Sequence, residues 1–164
     1  MADVNRLPGD QFMLSIWDKT ATVPAWRPVA CATSNEFTTE LSVDEVEAVY
    51  TKCGMIAALQ TMGALTWSTT ASGFAVDETA ADNGTKASYD TLLAAQKAEK
   101  ATQLADDWKI SFRTDGVGDQ FGKGIISSLA RTGDAGPTEF QNFTLTVTGQ
   151  PDTLSDTTTV TPAE

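Results

Sequence analysis

TDGVGDQFGKGIISS, residues 114–128, separates two architectures. As a phosphate-binding loop it would seat a nucleotide at the head of a helix in an α/β fold. As a glycine-rich turn it would join two strands of a β fold. A phosphate loop needs four residues between its first glycine and the Gly-Lys pair, then Ser or Thr. Here Gly122-Lys123 follows Gly118 after three residues and Gly116 after five, and Gly124 stands where the hydroxyl residue belongs. The dinucleotide fingerprint fits Gly116 and Gly118 but meets Phe121 at its third glycine. Asp115 and Asp119 add negative charge where a phosphate would lie. Ile125-Ile126-Ser127-Ser128-Leu129 reads as a strand, whereas a phosphate loop leads into a helix whose N–H groups meet the anion. The stretch is read as a hairpin connection.

Strand patterns lie on both sides of it. Trp108, Ile110 and Phe112 alternate with Lys109, Ser111 and Arg113 ahead of the loop. After it come 125–131, a turn over 132–139 with Gly133, Gly136 and Pro137, and a last strand with Phe143, Leu145 and Val147 set against threonines. Towards the N-terminus, 11–17 alternates, 18–24 reads as a turn, and 26–31 is extended, with Pro28 marking an edge or a strand start. In 36–43, Phe37, Thr39, Leu41 and Val43 form one face, and Glu36, Thr38, Glu40 and Ser42 the other. Residues 44–52 have weak helix or strand character. The apolar 55–67 leans towards a strand from Met62 onward. Asn83-Gly84 carries turn chemistry. One helix is expected near 88–102, with Ser88 as N-cap, Asp90 in the first turn and a short apolar stripe of Tyr89, Leu92 and Leu93. Asp106-Asp107 is read as the end of that helix, with no sequence neighbour to raise either pKa.

Composition bounds the function. The chain has 164 residues and is 41% hydrophobic, which suits one domain with a real core. Its net charge of -11 opposes holding nucleic acid through phosphate contacts. With no histidine, the commonest general base and metal ligand are missing, together with every Ser-His or Cys-His pair. Cys31 and Cys53 are too few for a disulfide framework or a zinc site, and are read as small buried hydrophobes, a single bridge staying open. The first residues show no apolar signal core and no segment has the length of a membrane span, so synthesis in a cytoplasm is expected, and two Asn-x-Thr sequons at Asn83 and Asn142 carry no meaning. The sum is a mainly β chain, a β-sandwich or open barrel of two packed sheets with one flanking helix. It divides into an N-terminal arm (1–10), a single domain (11–149) and a Thr/Asp/Pro-rich C-terminal arm (150–164), flexible or ordered only on assembly.

The order of segments resembles the major tail protein, or tail tube protein, of siphophages, of the temperate lactococcal type. The resemblance spans residues 10–151. It rests on FMLSIWD, the stretch Trp26-Arg27-Pro28-Val29-Ala30-Cys31-Ala32-Thr33-Ser34-Asn35, a Ser/Thr/Glu run ending in Thr51-Lys52, Ser72-Gly73-Phe74, the lone helix, Trp108-Lys109-Ile110-Ser111-Phe112, the glycine loop, and Phe143-Thr144-Leu145-Thr146-Val147-Thr148-Gly149. Residues 53–67, Met/Ala/Leu-rich, fit it least well.

The resemblance implies a structural virion protein with a tail tube-like fold, no enzymatic activity and no cofactor or metal. It implies hexameric rings that close by edge-to-edge strand pairing and stack into a hollow tube. Implied partners are further copies of itself, the tape measure protein in the lumen, tail-tip or baseplate and tail terminator proteins, and double-stranded DNA that passes without specific binding; no membrane is involved. Assembly would take place in the host cytoplasm. An acidic, hydroxyl-rich lumen would repel phosphates, and Glu36, Thr38 and Glu40 are the expected lumen-facing residues, the alternative being an ordinary solvated outer face, since alternation does not say which water a face meets. Asp44, Glu45, Glu47, Tyr50, Met55, Ile56, Leu59 and Met62 are the expected inter-subunit contacts, their apolar members buried on assembly. Lys109 and Arg113 either pair with carboxylates or face outward. The alternatives are a tube protein of a contractile injection or secretion system, a β-sandwich decoration or adhesin module, and a carboxylate hydrolase built on Asp106, Asp107 or Glu139.

Overall fold

The computed structural model describes residues 7–50, 56–75, 85–133, 136, 141–158 and 160, with backbone alone at 45–50 and 56–60. The order of elements is β1 (Met13–Asp18), β2 (Ala25–Pro28), β3 (Ala32–Tyr50), β4 (Ile56–Phe74), α1 (Tyr89–Thr102), β5 (Asp106–Ser111), β6 (Gln120–Thr132) and β7 (Asn142–Gly149). The strands form one antiparallel sheet in the order β2-β1-β5-β6-β7-β4-β3. Of the expected forms, a β-sandwich or an open barrel with one flanking helix, the open barrel is found, built from a single curled sheet rather than two packed ones. The curl follows from chain length. β2 and β3 lie at opposite ends of the strand order, yet 29–31 alone join them. A flat seven-stranded sheet would separate its edges by about 29 Å, from spacings of about 4.8 Å. Three connecting residues reach at most about 14 Å. The edges must therefore approach, and Asn35 on β3 donates from Nδ2 to the Phe12 carbonyl just before β1, at 2.8 Å. Phe37 of β3 likewise meets Phe112, just after β5, with ring centroids 5.7 Å apart.

The alternation read in the sequence fills the concave side. Leu14, Ile16, Trp108, Ile110, Ile126, Phe143, Leu145, Val147, Trp67 and Ala71 form the core, with Leu92 from α1. Each of the large apolar side chains contributes about 1.5–3 kcal/mol by leaving water. Ser88 caps α1, its Oγ accepting from the Thr91 amide at 3.3 Å. The helix stops where Gln103 turns left-handed, φ 57°, and its N–H returns to the Glu99 carbonyl.

Several sequence expectations are revised. Residues 44–50 continue β3, and β4 begins at Ile56, because the two segments pair with each other (Asp44↔Thr61, Glu45↔Gln60, Tyr50↔Ile56). Asp106-Asp107 does not end the helix; it opens β5 opposite Gly124 and Lys123. The glycine loop is a hairpin connection as read, but its Gly122-Lys123-Gly124 half belongs to β6. Cys31, read as buried, is exposed in the turn between β2 and β3, φ 53°. Cys53 and the Asn83-Gly84 turn lie outside the described residues.

The segment from Gln150, expected as an arm outside the core, is tied into the sheet. β7 ends at Gly149, which leaves the start of β6 open on that side, and 150–155 fills the gap. Gln150 N–H donates to the Lys123 carbonyl, and Phe121 and Ser155 exchange both backbone bonds at 2.8 Å. On its other side, Asp152 exchanges two bonds with Leu65, backbone to backbone and backbone to carboxylate, each 2.8 Å. Leu154 packs against the core.

A close approach explains three glycines. Trp67, 2% exposed, lies flat on Gly122, Gly124 and Gly149. A Cβ at Gly122 would stand 2.6 Å from Trp67 Cζ2, and one at Gly149 would overlap the indole ring itself. The indole N–H donates to Thr153 Oγ1 at 3.3 Å. Trp67 thereby fastens β4, β6, β7 and the C-terminal segment together.

Candidate functional site

Two features of the sheet are left unfinished by the described residues. The first is the ribbon of β3 and β4, 19 residues each. β7 supports β4 over 68–74 alone, and Asp152 holds it at Leu65. Beyond that point 56–64 has β3 as its strand partner among the described residues, so about 30 Å of two-stranded ribbon stands clear of the body at roughly 3.4 Å per residue. An isolated two-stranded hairpin is marginal in water. This one exposes apolar side chains on both flanks: Leu41 at 47%, Val43 at 53% and Met62 at 81%. Register shifts between Leu41/Val43 and Val46/Val49 add local twist. The second feature is the outer edge of β3, which beyond Phe37 has no strand partner among the described residues. Such an edge is a row of free N–H and C=O groups, a template for another strand.

The ribbon carries the expected contact residues. Asp44 and Met62 are exposed on it. Glu45, Glu47, Tyr50, Ile56 and Leu59 lie along it by register, and Met55 is outside the described residues. Glu36, Thr38 and Glu40 sit on the convex face, exposed, opposite Thr70, Ser68 and Thr66 of β4. Next to Thr70 and Ser68, on β7, come Thr146 and Thr148. Directly opposed residues share a face, so this part of the convex face is a field of hydroxyls with two carboxylates and no cation. The sequence revealed one row of it; the pairing that spreads it across three strands was not visible.

The remaining singled-out residues are satisfied locally. Arg113 pairs with Asp115 at 2.7 Å, and Lys109 Nζ stands 5.7 Å from the Trp26 ring centroid. Asp107 pairs with Lys123 at 3.1 Å and Asp106 with Lys19 at 2.8 Å. Glu139 lies outside the described residues. No group of three or more potential metal-ligating residues is found among the described residues.

Asp106 has a neighbour that its sequence context hid. Glu99 of α1, 8% exposed, lines the same cavity as Asp106. Glu99 Oε2 accepts from the Ile126 amide at 2.9 Å, and Gln96 Nε2 donates to the Ile126 carbonyl at 3.0 Å. β5 starts opposite Gly124, so the backbone groups of Ile126 have no strand on that side, and two helix side chains stand in for one. Burial pushes the Glu99 carboxyl up to about 7; the Ile126 hydrogen bond opposes this and the Asp106 charge adds to it. Burial also raises Asp18, but hydrogen bonds from Thr20 and the Arg27 guanidinium outweigh it and hold that carboxyl below its ordinary value.

No protein-family model and no curated protein matches the chain. Solved structures do. A chain in the tail of an empty gene transfer agent (GTA) particle, refined with helical and C6 symmetry, aligns with a TM-score of 0.62 at 14% identity, over 93% of this chain and 100% of that one. The chain shares the fold of that tail chain. A chain of the native GTA virion aligns equally broadly, with a TM-score of 0.61 at 13% identity. A chain of the SPP1 tail tube aligns over 88% of this chain and 76% of that one, with a TM-score of 0.48 at 13% identity.

Proposed function

We propose that this chain is the repeating subunit of a viral tail tube. Six copies close a ring by pairing the free edge of β3 with the sheet of the next copy. Rings stack into a tube that holds the tape measure protein and later conducts the genome, capped by tail-tip and terminator proteins, with the virion as its final location. The observation that carries this reading is the β3 edge, unpaired among the described residues, continuing into a ribbon that exposes Leu41, Val43 and Met62, on a fold shared with a six-fold-symmetric tail. Burying Leu41, Val43 and Met62 against a neighbour would remove that exposed apolar surface. The hydroxyl field with Glu36 and Glu40 suits a channel wall, because DNA sliding past it meets repulsion and no cationic trap.

The test is sedimentation of the full chain at rising concentration, beside Val43→Lys and Met62→Lys. Large particles are expected from the parent and monomers from the two variants. A parent that stays monomeric at every concentration, also with tail-tip complex added as initiator, would overturn the assignment.

A further inference from the structure

Glu99 is placed unlike the other carboxylates of the chain. One oxygen closes the broken edge of β6 by accepting from Ile126 N–H, and the other, Oε1, is buried with no hydrogen-bond donor. The groups around it are all accounted for. Asp106 on β5, itself 7% exposed, lines the same cavity as Glu99. Lys19, in the turn after β1, is engaged with Asp106, and Asp107 further out is engaged with Lys123 of β6. Asp18 of β1 is held by Arg27 of β2, and Lys97 and Lys100 on the same helix are exposed. An ionised Glu99 would leave two buried carboxylates facing one shared ammonium. A protonated Glu99 turns Oε1 into a donor to Asp106, and every buried polar atom in the cluster gains a partner.

We propose that Glu99 is a proton-operated latch: protonated and hydrogen-bonded to Asp106, it holds the C-terminal half of α1 against β6, and loss of that proton frees this half of the helix from the sheet. A cavity of about 300 Å³, lined by Glu99 and Asp106 themselves together with Lys19, Ile16, Ala95 and Thr102, gives water a place to enter when the latch opens. The rest of the attachment is light. Leu92 is the one apolar helix side chain fully buried in the core among the described residues, and it lies in the N-terminal half. Beyond it Gln96 and Glu99 are the anchors to Ile126. The direction follows from the raised carboxyl. The latch is fully closed below the ordinary carboxylate range near 4.5 and is lost as pH rises through about 7.

The test uses the full chain. Carbon-13 NMR follows the Glu99 side-chain carboxyl with pH, and amide hydrogen exchange over 96–102 is compared at pH 5 and pH 8 after correction for intrinsic base catalysis. A carboxyl midpoint near 7 and a local opening constant raised about a hundred-fold at the higher pH are expected, from the proton linkage of a carboxyl moved from about 4.5 to about 7. Glu99→Gln, whose amide donates to Asp106 without titrating, should keep the helix protected at both values. Asp106→Asn should lower the Glu99 midpoint by removing the facing charge, a readout that stands even where Glu99→Gln fails to fold. A midpoint in the ordinary range near 4.5, a pH dependence that survives in Glu99→Gln, or an unchanged midpoint in Asp106→Asn would overturn the latch.

Discussion

The seat of Trp67 can be tested by one methyl group. In Gly149→Ala the new Cβ falls on the indole ring, and the ring has nowhere to go. It is 2% exposed, rests on Gly122 and Gly124, and is held at its nitrogen by Thr153. Overpacking a filled core costs about 1–3 kcal/mol and more when backbone must shift, so a loss of about 3 kcal/mol is expected. With a urea dependence of about 2 kcal/mol per molar, the unfolding midpoint should fall by about 1.5 M. The assay is equilibrium urea unfolding followed by far-ultraviolet circular dichroism, which does not depend on the tryptophan under test. Gly118→Ala is the control: φ is +81° there but the space around it is open, so about 1 kcal/mol of backbone strain is expected alone. Trp67→Leu closes the cycle. It is itself costly, but with the indole gone Gly149→Ala should become nearly neutral, giving a coupling of about 2–3 kcal/mol. A Gly149→Ala cost below about 0.5 kcal/mol, or an equal cost in the Trp67→Leu background, refutes the seat.

Other outcomes follow from the same geometry. Truncation after Gly149 removes nine hydrogen bonds to the rest of the described chain and the packing of Leu154, at about 1 kcal/mol per bond. Thermal unfolding should therefore show a markedly destabilised domain; an unchanged melting temperature would return 150–158 to the status of a loose arm. Met62→Lys and Val43→Lys should abolish large assemblies while moving monomer stability by less than about 0.5 kcal/mol, read by sedimentation and urea unfolding. Because the Glu99 carboxyl is raised from 4.5 to about 7, global stability should fall by about 3 kcal/mol between pH 5 and pH 8, and Glu99→Gln should flatten that decline. A lowered Asp18 has the opposite sign: its contribution is present above its ordinary value and is lost as acid titrates it, so Asp18→Asn should be least costly at the acidic end.

What could be read from sequence was whatever a two-residue or a 3.6-residue period writes locally. Leu14 and Ile16, Trp108 and Ile110, and Phe143, Leu145 and Val147 alternate because one side of each strand is core. Ser88 and Asp90 announced a helix start, and the hairpin at 114–128 followed from its failed spacings. The ribbon was harder. Asp44, Glu45 and Glu47 are poor strand formers, and beyond Phe37 no core face is there to impose alternation; these residues are strand because 56–74 pairs with them. Asp106 looked like a helix end because Glu99, seven residues before it, comes beside it only when the chain turns from α1 into β5. Gly122, Gly124 and Gly149 lie in two segments, and nothing local says that one indole covers all three. The Thr/Asp-rich composition of 150–158 hid backbone groups that complete a sheet.

The central claim is that the β3 edge and its ribbon join copies into a tube with the hydroxyl face inward. Electron cryomicroscopy of the full chain assembled at high concentration tests it most directly. The account predicts six-fold rings in which β3 pairs with a neighbouring copy, Met62 is buried, and Glu36, Thr38 and Glu40 line the channel. Rings closed through another surface, with the β3 edge and Met62 facing solvent, would contradict it.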